Sequence, residues 1–157
     1  MLAVRVFVVA LTLALASAQA DILALHNGYR RAHQVPPLTS SAALTSAAQS
    51  WANRLAASCT FEHARGTGQG ENLASGHRSW TEVARGWYNE VRQYNYGAPG
   101  FGMSTGHFTQ MVWKGTTQLG CASAMSKCSS RTIYVCRYSP PGNVQGAFRS
   151  NVLPATP

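Results

Sequence analysis

Four cysteines, Cys59, Cys121, Cys128 and Cys136, stand behind an apolar leader, and no other feature restricts the fold of this chain so strongly. The leader runs from Met1 to Ala20, with Arg5 near its start, an apolar run from Val6 to Ala16, and Ala18-Gln19-Ala20 before Asp21. A charged start, an apolar stretch and an A-x-A end describe a secretory signal peptide cleaved after Ala20. The run is too short for a comfortable membrane span. No second run of spanning length follows, so a secreted, soluble, extracellular product is expected. In an oxidising compartment an even number of cysteines reads as two disulfides, with three pairings open. A metal site made by these thiols is the poorer reading, because no C-x-x-C pair is present. No N-x-S/T sequon occurs, so N-glycosylation is not expected.

At 157 residues the chain has room for one domain with a real core, placed at residues 21–157 with an irregular tail from Pro140. Its formal net charge of +8 falls to +7 when Arg5 leaves with the leader. The arginines are scattered, without a run of like charge. Such a protein is drawn weakly to anionic surfaces such as membranes or cell-wall polymers. Export argues against nucleic acid as the partner, and the protein is expected to be a monomer.

Hydrophobic spacing predicts three helices. Ile22, Leu25, His26 and Tyr29 recur at offsets 0, 3, 4 and 7 over residues 21–33, which Pro36-Pro37 closes. Leu44, Ala48, Trp51 and Leu55 form one stripe over residues 41–58. Ser79-Trp80-Thr81-Glu82 is a capping box opening a helix that runs to about Gln93, with Val83, Trp87 and Val91 inward. Glu90 lies seven positions from Val83, about 20° away around that helix, so it points inward with the apolar stripe. Residues 59–75 read as loop, and residues 94–106 as a long loop rich in glycine and aromatic residues. Residues 109–113, 118–123 and 132–138 read as strands. Helices first and strands last predict an α+β layered domain, not a βαβ parallel sheet.

The runs GHFTQMVWKGT (106–116) and IYVCRYSPPGN (133–143) resemble the two signature motifs of the CAP superfamily. That superfamily comprises the cysteine-rich secretory, antigen 5 and pathogenesis-related 1 proteins. HNGYR (26–30) and GENL (70–73) match its two further motifs, and the four blocks occur in family order. The run from Tyr94 to Cys121 and the tail GNVQGAFRSNV are similar to the fungal secreted, sterol-binding members. The extra cysteine pair before the histidine and the Pro-Tyr tail of the plant form are missing here. The resemblance implies an α-β-α sandwich, with an antiparallel sheet between helical layers. It also implies pairing of Cys59 with Cys128 and of Cys121 with Cys136.

The family's cavity carries two histidines and two acids, which the motifs carry over to His63, Glu71, Glu90 and His107. One reading is a mutually satisfied polar cluster, since buried carboxylates are expensive unless paired. A second is a site for Zn²⁺ or another divalent cation held by His63 and His107. A third is a metal-dependent hydrolase, for which no convincing nucleophile is present. His26, on an apolar stripe, is expected to make a buried hydrogen bond instead.

The loop 94–106 places Tyr94, Tyr96, Phe101 and Met103 among four glycines, and the corresponding loop is the implicated sterol site in the sterol-binding relatives. Its match to them includes Asn95, Pro99, Gly100 and Phe101. The expected function is binding of small hydrophobic lipids, sterols first and fatty acids second, with no cofactor required. Some relatives hold fatty acids between helices, here the first and third. The alternatives are the hydrolase and a secreted interaction or effector module acting through the basic surface.

Overall fold

The computed structural model describes residues 21–156, so the proposed leader lies outside the described residues. Helix α1 covers residues 21–32. It is followed by β1 (Thr39–Ser40), α2 (Ala42–Ser58), β2 (Gly70–Ser75) and α3 (Trp80–Asn89). A 3₁₀ turn at Glu90–Gln93 extends α3, and α4 (Gly106–Met111), β3 (Gln118–Met125), β4 (Thr132–Ser139) and α5 (Phe148–Asn151) complete the chain. The sheet order is β1-β3-β4-β2. β3 and β2 flank β4 antiparallel to it, whereas the short β1 runs parallel to β3, an exception to the expected antiparallel sheet.

The two faces of the sheet bury different helices. Ile133 and Val135 of β4 join Ala48, Ala52, Leu55 and Ala56 of α2 in one apolar cluster. Tyr134, Cys136 and Tyr138, the alternate positions, join Ile22, Val83, Trp87, Phe108 and Phe148 in the other. The result is the helix–sheet–helix sandwich. α2 comes close because of Gly120, where a methyl group would run into the backbone of Leu44 and Thr45. Ser41 caps α2, its hydroxyl accepting from the Leu44 N–H at 3.3 Å.

Both disulfides follow the expected pairing, Cys59–Cys128 and Cys121–Cys136. Cys121 and Cys136 face each other directly in the β3–β4 register, with Cα atoms 4.1 Å apart. Cys59 ends α2 in the left-handed region, and its bond ties that end to the turn before β4.

Three segments differ from expectation, the shortest being the helical turn α5 (Phe148–Asn151) within the tail expected to be irregular, where Phe148 is buried in the core. Residues 70–75 form a strand, although Gly70, Glu71 and Asn72 are poor strand formers, because β4 offers six consecutive pairing partners. Residues 109–113, read as a strand, begin inside a helix. Phe108 to Trp113 are all buried, so no alternation marks the segment, and its β-branched and aromatic content misleads. Helix formation there depends on a cap from Glu90, seventeen residues away in sequence, described below.

Arg30 anchors the whole of this side without a carboxylate. Fully buried, it donates to the carbonyl oxygens of Pro36, Met111, Trp113 and Thr116 at 2.8–3.0 Å. Burial pulls its guanidinium down to about 10.

Candidate functional site

Glu90 points inward, as its helical position requires. Its Oε2 accepts from the His107 and Phe108 backbone N–H groups at 3.0 and 3.1 Å, and Oε1 pairs with the His107 Nδ1 at 2.7 Å. A carboxylate thereby covers orphan donors and the positive end of α4. The His107 ring lies nearly parallel to Trp87, tilted 17° with centroids 5.8 Å apart. Its backbone carbonyl accepts from the Asn72 amide at 3.1 Å.

The other two members of the predicted cluster form a separate group. Glu71 Oε1 accepts from His63 Nδ1 at 2.6 Å and from the Ala64 N–H at 3.2 Å. Its Oε2 pairs with the Arg137 guanidinium at 2.9 Å. Glu71 and Arg137 oppose each other in the β2–β4 register and are both buried, while the His63 side chain is 62% exposed.

Strand alternation explains the separation. Glu71 shares its face with Leu73, and Arg137 with Ile133 and Val135, on the side covered by α2. Glu90 and His107 belong with Trp87 and Phe108 on the other side. Among the described residues, no three His, Cys, Asp or Glu side chains are grouped so as to hold a metal ion. Each histidine keeps Nε2 for a ligand while Nδ1 meets a carboxylate, the arrangement metal-ligating imidazoles favour. One imidazole per group still falls short of the three or four ligands zinc takes. Each dyad is a carboxylate–imidazole hydrogen bond, and Glu90 also caps a helix.

Between Asn72 and helix α1 runs a buried polar chain. The Asn72 amide also donates to the Tyr138 hydroxyl at 3.1 Å, and that hydroxyl contacts His26 Nε2 at 2.8 Å. His26 Nδ1 meets the Ile22 carbonyl at 2.8 Å, the buried hydrogen bond expected for this residue. Burial lowers the His26 imidazole to about 4, so it is neutral, donating from Nδ1 and accepting from Tyr138.

The loop after the 3₁₀ turn divides into an anchored and a free part. Tyr94 is buried against Phe108 and Tyr96, and Tyr96 packs on the same core. These two rings hold the loop to its own domain instead of lining a slot. Burial raises the Tyr96 phenol to about 12. Asn95 turns the chain, its Oδ1 accepting from the Gly97 N–H at 2.9 Å. Beyond Pro99, Phe101 is 54% and Met103 89% exposed, although the Phe101 ring edges against Gly106, where a Cβ would come within 2.9 Å. Gly100 has open space where a side chain would stand.

Among the described residues, clefts open near these groups. One of about 640 Å³ lies between α2 and residues 62–69 and includes His63 and Arg137. A groove of about 370 Å³ is formed by Gly97, Ala98 and Pro99 against Gln145, Gly146, Phe148 and Arg149. A third, about 780 Å³, is lined by Asp21, Ala24, Leu25, Gly28 and Tyr29 of α1 and Thr81 of α3. It lies between the first and third helices, but Trp87 and Val91 do not line it.

Arg137 and Asn72 escaped the sequence reading. The signal for Arg137 was available, since Ile133, Val135 and Arg137 share one strand face and only the charge stands out.

A model described as "CAP: Cysteine-rich secretory protein family" matches residues 23–138. The human "Golgi-associated plant pathogenesis-related protein 1" is 42% identical over 85% of this chain and 91% of its own length. The Candida albicans "Secreted protein RBT4" is 39% identical over 80% of this chain and 36% of its own. The chain spans about half or less of the fungal relatives it matches. Among solved structures, the Schistosoma mansoni venom allergen-like protein 4 superposes with a TM-score of 0.71 at 21% identity, covering 89% of this chain and 96% of that one.

Proposed function

Because the chain belongs to the cysteine-rich secretory protein, or CAP, family, we propose that it is a secreted binder of small hydrophobic lipids, sterols first, that uses the free part of the loop at 97–104. A relative named as a secreted protein and two disulfides favour an extracellular setting. Among the described residues no helix is long and apolar enough to cross a membrane.

The observation that carries the reading is the exposure of Phe101 and Met103 on a glycine-bearing segment whose base is pinned by Tyr94. Phe101 and Met103 stand two residues apart on the same segment, and apolar groups exposed together mark a binding surface more often than single ones do. A ligand surface of about 300 Å² removed from water is worth roughly 7 kcal/mol at 25 cal/mol/Å². Association and loop ordering offset several kcal/mol of that, so this area alone supports binding near the millimolar range and tighter binding requires burial of a larger share of the ligand. The similarity of Asn95, Pro99, Gly100 and Phe101 to the fungal sterol-binding loop supports the same assignment. The hydrolase reading gains nothing from the geometry, because the two dyads belong to opposite faces of the sheet.

The test is equilibrium binding of radiolabelled sterol to wild type, Phe101→Ala and His107→Ala. Phe101→Ala is expected to weaken binding by about tenfold or more. His107→Ala and a chelator are expected to leave it unchanged, since Glu90 still accepts from the two backbone N–H groups. A folded Phe101→Ala protein with wild-type affinity contradicts the reading.

A further inference from the structure

We propose that the cleft between α2 and residues 62–69 is a binding site for an acidic saccharide, separate from the lipid loop and independent of it. Ala47, Ser50, Trp51 and Arg54 form one stripe of α2 at offsets 0, 3, 4 and 7, and this stripe makes one wall. Glu62, His63, Ala64, Arg65, Thr67 and Gln69 make the other, with Arg137 between them. The volume of about 640 Å³ is that of a small-molecule site.

Its charge is one-sided. Arg137 is paired with Glu71, which leaves Arg54 and Arg65 against the single lining carboxylate of Glu62. Among the described residues neither Arg54 nor Arg65 is in an ion pair. Arg54 and Arg65 are exposed and open to a ligand, whereas the buried Arg137 already donates to Thr67 and pairs with Glu71. Planar guanidinium groups with free donors recognise carboxylate and sulfate oxygens in pairs.

The neutral part of the ligand is set by Trp51. Its indole N–H donates to the Glu62 carbonyl at 3.2 Å, which fixes the ring, and the Arg54 guanidinium sits 5.4 Å from the ring centroid. An arginine held over the fixed ring, with Ser50, Thr67 and Gln69 for hydroxyl groups, fits a sugar bearing an oxyanion. A bilayer is the poorer partner, because the exposed Phe101 and Met103 do not line this cleft.

The experiment is calorimetric titration of the full secreted chain with trigalacturonate, a sulfated disaccharide, neutral maltotriose, inorganic sulfate and phosphatidylserine vesicles. At least one acidic saccharide is expected to bind, maltotriose is not, and inorganic sulfate competes only weakly. The double variant Arg54→Ala, Arg65→Ala alters exposed side chains, keeps its circular dichroism, and is expected to lose about tenfold or more. Lys114→Ala with Arg92→Ala, equal in charge and outside the cleft, is expected to stay within about twofold. The proposal is overturned if the control loses as much, if inorganic sulfate matches the saccharides, or if only vesicles bind. Sterol binding persisting in the double variant separates this outcome from the fate of the lipid reading.

Discussion

Glu90 earns its inward position by what it does for α4. A six-residue helix is far too short to hold itself, and its first N–H groups depend on a carboxylate delivered by another element. Glu90→Ala leaves two half-buried donors without a protein acceptor, which costs about 3 kcal/mol. Urea unfolding followed by circular dichroism checks this value, and a loss below about 0.5 kcal/mol would show that the cap is dispensable. The inward turn of Glu90 was legible because helical periodicity alone determines it. The partition of His63, Glu71, Glu90 and His107 into two dyads was not. It depends on which face of β2 carries Glu71, and that requires knowing that residues 70–75 are a strand at all.

The same distinction holds for whole elements. α2 and α3 announced themselves by stripes and caps that are local in sequence, and their buried positions Leu44, Ala48, Leu55, Val83 and Trp87 lie on the expected faces. Ser79 caps α3 as expected, but Glu82 reaches the Arg78 N–H at 2.9 Å. β2 and α4 are made by distant partners, β4 and Glu90, so local propensity pointed elsewhere. Within the loop, composition could not tell the buried Tyr94 from the exposed Phe101.

α1 carries a pH dependence of its own. His26, buried on the helix and held near 4, binds its proton more weakly folded than unfolded, where imidazole titrates near 6.5. The unfolded chain therefore binds more protons between these values, and stability falls as pH drops from about 6.5 to about 4. The slope is about 1.4 kcal/mol per unit, for a total of roughly 3 kcal/mol. His33, also lowered by burial, adds in the same direction. Unfolding free energies at pH 7, 5.5 and 4 should show this decline, and His26→Asn should flatten it. An unchanged slope in that variant would place the proton uptake elsewhere.

At the scale of the molecule, the sandwich is held by a core on each sheet face and two covalent ties. The bonds close loops of 69 and 15 residues, so opening them costs about 4 and 3 kcal/mol respectively by loop entropy. A Cys59→Ala, Cys128→Ala protein should unfold at lower urea yet keep the buried Cys121–Cys136 cross-strand bond. Equal urea midpoints would mean that α2 is pinned by packing alone. A fold stapled in this way can leave one loop apolar and exposed without losing its shape, and that combination underlies the lipid reading.

The most direct measurement of that reading is native mass spectrometry of the purified protein after exposure to sterol-containing vesicles, for wild type and Phe101→Ala side by side. Wild type should carry one sterol per chain and Phe101→Ala, equally folded, should emerge without it. A wild-type protein that carries none, or a variant that carries as much, contradicts the account.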